Sequence, residues 1–159
     1  MRMTRAFAAA LLASTMTLAA CGDAEEAPVE DVDGIAGLNI TNPRMVLAPV
    51  EGNPAAVYFE ADYSGDRLIA ISAADVAGTE SAMIHEYASD TFDNKMIDAP
   101  PQALRKGKPV LFEPGGLHVM AMGVSPDLKP GGTTEVTLTV SGGDKHSFEA
   151  KILAAGDER

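Results

Sequence analysis

Residues 133–140 read TTEVTLTV, and this stretch has the clearest alternation of side-chain type in the chain. Its apolar residues fall on one face of an extended strand and its threonines fall largely on the other. The apolar face consists of Val136, Leu138 and Val140. Residues 141–144, Ser-Gly-Gly-Asp, are typical of a tight turn. A last strand is therefore predicted over 146–153, antiparallel to the strand over 133–140.

Other short apolar segments lie between Gly, Pro and Asp residues and predict further strands. The predicted strands are 55–61, 66–72 and 108–112. At most, single helical turns are expected at 73–77 and 101–105. Many short strands separated by turn residues indicate an all-β fold, an antiparallel sandwich or barrel.

The first residues, 1–20, read MRMTRAFAAALLASTMTLAA and are typical of an export signal. Two arginines precede an apolar run that is short for a membrane-spanning helix. The sequence Leu-Ala-Ala-Cys ending at Cys21 resembles a bacterial lipobox, in which the cysteine becomes the lipidated first residue. We therefore predict a membrane-anchored periplasmic lipoprotein; ordinary cleavage near Ala20, which leaves a free thiol, is the alternative.

Composition divides the mature chain into a tether, one domain and a short tail. Residues 21–34 are acidic and predict a flexible tether that spans roughly 20 Å. Residues 35–155 are long enough for one domain, expected to be a monomer, and 156–159 form a polar tail. Without residues 1–20 the chain has 10 basic and 23 acidic residues, a formal charge of −13. This charge argues against nucleic acid as a partner, although it could equally serve only solubility.

Two histidines and two methionines follow one another at a distinctive spacing. Ten, twenty-one and one residues separate them in turn: His85, Met96, His118 and Met120. Imidazole nitrogen and thioether sulfur together suit a soft, monovalent metal, above all Cu(I). The single cysteine of the chain, Cys21, precedes the domain and adds no thiolate. The alternative is that the methionines fill the core and the histidines lie on the surface.

Alternation along strands decides which of these side chains can meet. His118 and Met120 share one face of a strand and can bind one metal ion. Met83 and His85 likewise share a face of their own segment. Met96 follows a polar loop, 90–95, from which its thioether would be the ligand most easily displaced. A four-coordinate site near the surface is expected.

The spacing, together with its flanks, resembles the signature of the periplasmic copper chaperones of the PCu(A)C family. Flanking segments that also look like the family are Asp66-Arg67-Leu68, His85-Glu86 and Pro114-Gly115-Gly116-Leu117-His118-Val119-Met120-Ala121-Met122. The resemblance covers about residues 36–153. It implies a cupredoxin-like Greek-key β-barrel or sandwich. It also implies Cu(I) bound by His85, Met96, His118 and Met120.

The same resemblance implies delivery of copper toward the CuA centre of a cytochrome c oxidase subunit, directly or alongside a Sco-type thiol protein. The chain departs from the family in two places. Residues 92–95, Phe-Asp-Asn-Lys, lack the further methionine that many members carry, and the tail AAGDER lacks the histidines and methionines of members that add a Cu(II) site. A second, Cu(II), site is therefore not expected at His146.

Other functions are less consistent with the sequence. A blue-copper electron carrier needs a thiolate beside two histidines, and the domain has no cysteine. Neither G-x-S-x-G nor H-E-x-x-H occurs, so the protein is not expected to be an enzyme. Two alternatives stay open: a copper buffer or storage lipoprotein without dedicated delivery, and a structural β-sandwich lipoprotein.

Overall fold

The structure, a computed structural model, describes residues 34–87 and 95–157. These residues form ten strands and no helix, so the predicted all-β class is confirmed. The strands are β1 Leu38–Val46, β2 Ala55–Tyr63, β3 Ile69–Val76, β4 Ser81–Tyr87, β5 Met96–Asp98, β6 Gln102–Leu104, β7 Val110–Phe112, β8 His118–Met122, β9 Thr133–Val140 and β10 Lys145–Leu153. In this part of the chain, no helix is long and apolar enough to cross a membrane.

Several predictions from the sequence fall on residues outside those described. They are the signal peptide 1–20, the lipidated Cys21, all of the tether except Gly34, the polar loop up to residue 94, and the end of the tail. These remain predictions.

The hairpin of β9 and β10 was the strongest expectation, and β9 has the predicted bounds. Strand β10 begins at Lys145, one residue before the predicted start, and pairs antiparallel with β9. The apolar residues of β9 are fully buried. At the turn, Gly142 and Gly143 have φ values of 101° and 92°. Glycine adopts this backbone conformation without the steric penalty that other residues incur.

The strands form one sheet in the order β5-β4-β8-β2-β1-β10-β9-β3-β6, with β7 also beside β2. Every strand pair is antiparallel except β1 and β10, which are parallel. The expectation of an antiparallel sandwich or barrel is therefore wrong for this one pair. Parallel neighbours need a long crossover, and here the rest of the domain supplies it. Strands β3 and β4, near opposite ends of this order, contact each other, so the sheet folds around one core.

The single helical turns expected at 73–77 and 101–105 are both wrong, because β3 and β6 pass through them and pair with each other. In β3 the register shifts between Ile71 and Ala73. The extra residue lets Ile71 and Ala74 both face the core although they are three positions apart. Because of the bulge, the buried apolar residues of β3 are spaced as they would be in a helix.

Two predicted strands, 66–72 and 108–112, begin later than expected, at Ile69 and Val110. In the first, the preceding residues form a loop that carries ion pairs on its surface. In the second, the chain closes a turn just before β7, and Pro109 has no N–H to donate to a neighbouring strand.

Strands β4, β8 and β2 lie side by side and present two different faces. One face packs into the core through buried Ile84, Val119, Ala121 and Val57. Phe59 of β2 adds to it by stacking on Phe112 of β7, with ring centroids 4.1 Å apart. Because side chains alternate along a strand, the histidines and methionines of β4 and β8 lie on the opposite face.

Candidate metal centre

The pairing of β4 with β8 brings the two histidines together. His85 lies directly opposite His118, and Met83 lies directly opposite Met120. The two imidazole rings are 6.1 Å apart between centroids and meet edge to face at 78°. Thirty-two intervening residues therefore separate two side chains that the sheet makes neighbours.

The first methionine of the spacing pattern lies at the sheet edge. Met96 is the first residue of β5 and lies opposite Tyr87 of β4, one alternate position from His85. It is thus part of a strand and half-buried, rather than carried on a free loop as expected. A cavity of about 220 Å³ is lined by Met96, His118 and Met120. His85 is not among the residues that line it, and its ring lies 6.1 Å from that of His118.

His118 is held in one orientation and one tautomer. Its side chain is only 5% exposed, and Nδ1 lies 2.9 Å from the carbonyl oxygen of Gly116. A carbonyl can only accept, so Nδ1 carries the hydrogen and Nε2 keeps a free lone pair. The turn between β7 and β8 presents this carbonyl, and Gly115 has the positive φ of 78° that the turn requires. A backbone carbonyl on one ring nitrogen is the usual partner of a metal-binding histidine.

His85 is half-buried, but its two ring nitrogens are buried and have no hydrogen-bond partner in the described part of the chain. Its side chain is 12% exposed, and Nε2 lies 3.1 Å from Oδ1 of Asp98, whose own side chain is 84% exposed. That contact lacks the alignment of a hydrogen bond, and neither ring nitrogen has a partner among the residues described. A buried polar atom without a partner is costly, and a metal ion would satisfy it.

Two tyrosines flank the site, although neither belongs to the spacing pattern of histidines and methionines. The rings of Tyr87 and Tyr58 lie 5.9 Å and 6.3 Å from the His118 ring. Arg44 packs over the Tyr58 ring at 5.1 Å from its centroid. Both tyrosines occupy strand positions that alternate with core residues, so the parity of the predicted strands could have placed Tyr58 on this face.

The third histidine is separate from this cluster. His146 lies in β10, where Nδ1 accepts a hydrogen bond of 3.1 Å from the backbone N–H of Ile35. Burial lowers the pKa of His146 below its usual value. Among residues 34–87 and 95–157, no group of three or more His, Cys, Asp and Glu side chains is placed to hold a metal ion.

The donor set defines what the site can do. Two imidazole nitrogens and two thioether sulfurs are neutral ligands of intermediate and soft character. They are His85, Met96, His118 and Met120. The free Nε2 of His118 and the unpartnered nitrogens of His85 fit a bound soft cation. The two thioethers carry no ionisable proton, so they bind a cation without releasing one.

Comparison with known proteins places the fold. Residues 38–152 match the family model LpqE-like, which describes lipoproteins. No curated protein sequence is significantly similar to the chain. The apo PCuAC domain from PmoF1 is 26% identical, with a TM-score of 0.62, over 76% of this chain and 96% of that one.

Two copper-bound structures have the same fold. The copper-bound PCuAC domain from PmoF2 is 24% identical, with a TM-score of 0.61, over 76% of this chain and 96% of that one. The Cu(I) form of DR1885 from Deinococcus radiodurans is 20% identical, with a TM-score of 0.61, over 86% and 89%. The cupredoxin-like fold and the family relationship predicted from the sequence are confirmed. The chain belongs to the LpqE-like family and has the fold of the PCuAC domains.

Proposed function

We propose that the protein is a Cu(I)-binding metallochaperone in which His85, Met96, His118 and Met120 hold the ion. The observation that carries this proposal is the cross-strand pair of histidines on β4 and β8. The Gly116 carbonyl holds the His118 ring so that its Nε2 is free, and the His85 ring has two buried nitrogens without partners among the described residues. The copper-bound PCuAC structures of the same fold support copper as the ion.

The ligand set suits transfer as well as binding. Cu(I) is the cargo, and no electron or proton has to move when a neutral thioether or imidazole leaves it. Met96 and Tyr87 both line the cavity and pair with each other where β5 forms the edge of the sheet. Ligands of a partner can therefore replace those of the chaperone one at a time. Met96 is the ligand that we expect to leave first, because the short edge strand β5 is paired on one side alone.

We further propose that the protein acts in the periplasm as a lipid-anchored monomer and is not an enzyme. The proposed destination of copper is the CuA centre of a cytochrome c oxidase subunit, reached directly or alongside a Sco-type protein. Support comes from the export signal, from Cys21 and from the lipoprotein description of the family. An oxidising compartment favours thioethers over thiols, since thiols are lost to disulfide formation.

A competition titration with a chromophoric Cu(I) chelator tests the proposal on the full chain in detergent. We expect one tight equivalent in the parent. The double variant His118→Ala, Met120→Ala should lose it, with a fall in affinity of about 100-fold or more. His146→Gln is the matched control, because it removes a histidine outside the site. Failure of the parent to compete for Cu(I) would contradict the proposal.

A further inference from the structure

A row of methionines continues the outer face of β4 and β8 beyond the proposed copper ligands. Met83 lies two residues before His85 and directly opposite Met120, while Met122 lies opposite Ser81. Met83 and Met122 are therefore diagonal neighbours across the same strand pair. The proposed function uses one of these three thioethers, that of Met120.

Core packing does not explain this row. The opposite face of the two strands supplies the core through Ile84, Val119 and Ala121, which are buried. Met83 is 40% exposed instead. A single exposed apolar side chain needs no explanation. This one, however, faces a second methionine across the strand pair and a third on the diagonal.

The sheet geometry allows the three sulfurs to meet. Opposite residues of an antiparallel pair have Cβ atoms about 4.5–5.5 Å apart, and diagonal ones, at roughly 7–8 Å, stay within reach of long side chains. Methionine has three rotatable bonds beyond its Cα, so each sulfur can swing over the space between the strands. A cluster of thioethers alone favours a soft monovalent cation over harder ions.

We propose that Met83, Met120 and Met122 form a second Cu(I) site, made of thioethers alone, through which the ion enters and leaves the histidine site. This rests on the proposed function in that Met120 is common to both sites; its sulfur has two lone pairs and can therefore bind one ion in each. In the passage outward, the bonds from copper to His85, His118 and Met96 break, and bonds to Met83 and Met122 form. Copper stays Cu(I) throughout, and every ligand is neutral before and after the exchange.

The position of Met83 gives the second site its role. His118 is 5% exposed and Met83 is 40% exposed, so Met83 is the more accessible of the two to an incoming partner. An ion held on the exposed thioethers is accessible to the ligands of a partner. The second site is therefore weaker than the first and exchanges faster.

Titration with Ag(I), a redox-inert soft monovalent probe, tests this inference on the full chain labelled with ¹³C at the methionine methyl groups. We expect a second, weaker equivalent that shifts the methyl signals of Met83, Met120 and Met122. Met83→Leu, which keeps the volume of an exposed side chain, should lose the second equivalent and retain the first. Met45→Leu, which changes a buried methionine of β1, should retain both.

The outcomes separate the two proposals. A parent that takes up one equivalent, or a Met83→Leu chain that takes up two, would overturn the thioether site while leaving the histidine site intact. In the parent chain, a second equivalent that shifts only the methyl signals of Met83, Met120 and Met122 supports the thioether site without any variant. Loss of the first equivalent would bear on the histidine site instead, which the double variant His118→Ala, Met120→Ala tests.

Discussion

At the scale of single residues, orientation matters as much as identity. His118 is buried and His85 is half-buried, and their ring nitrogens have different surroundings. The Gly116 carbonyl fixes the tautomer of His118, and Asp98 approaches His85 without a true hydrogen bond. The turn that precedes β8 is therefore part of the proposed site, although it contributes no side chain to the metal.

His146 gives a prediction that concerns stability rather than copper. Burial lowers its pKa below the usual 6.5, so the unfolded chain takes up this proton more readily than the folded chain does. Stability that is fully present above pH 6.5 is therefore lost as the pH falls toward the lowered pKa. We expect the free energy of unfolding to fall more for the parent than for His146→Gln between about pH 7.5 and about pH 5.5.

The measurement is urea unfolding of both chains across this range, followed by circular dichroism. Glutamine can still accept the hydrogen bond from the Ile35 N–H but does not titrate. The slope of stability against pH is therefore the informative quantity. Equal slopes in the two chains would show that His146 does not carry this pH dependence.

Four candidate ligands could be identified from the sequence because their spacing along the chain is distinctive: His85, Met96, His118 and Met120. The pairing of β4 with β5 and β8 then places them on neighbouring strands. The tyrosines beside the site were missed for a physical reason. Their proximity depends on which strand lies next to β8, and alternation within one strand carries no information about its neighbours. Alternation within β2 places Tyr58 on the outer face, but its distance from His118 follows only from the order of the strands in the sheet.

At the scale of elements, regular strands were predictable and irregular ones were not. β9 matches its predicted bounds because its alternation is uninterrupted. In β3 the bulge after Ile71 breaks the alternation, and a helical turn was expected in its place. The parallel pairing of β1 with β10 is equally hidden, since it joins the two ends of the domain.

The short strand β7 gives a prediction at this scale. Phe112 is buried and stacks on Phe59, and the turn that holds His118 follows directly. We expect Phe112→Ala to lower the free energy of unfolding by about 3–5 kcal/mol, because it removes a fully buried ring and leaves a cavity. Denaturant unfolding measures this change.

The neighbouring residue provides a matched control. Leu111 lies on the same strand but is exposed, so Leu111→Ala should change stability by no more than about 0.5 kcal/mol. Similar losses for the two variants would mean that β7 is held by its backbone pairing with β2 rather than by the stacked rings.

At the scale of the whole molecule, the negative charge and the proposed lipid anchor have opposite effects on membrane binding. Without residues 1–20 the chain has a formal charge of −13, which anionic membrane surfaces repel. We propose that membrane association comes from a lipid on Cys21. We expect the parent chain to sediment with membranes at both low and high salt, because a buried acyl chain is insensitive to ionic strength.

Mass spectrometry of the processed chain completes this prediction. The N-terminal peptide should begin at Cys21 with an added lipid mass, and the chain should have no thiol that reacts with a maleimide. Cys21→Ser should give no lipidated chain. A soluble mature chain with one reactive thiol would show ordinary cleavage near Ala20. The acidic domain would then diffuse freely, and copper delivery would depend on encounters in solution rather than at a membrane surface.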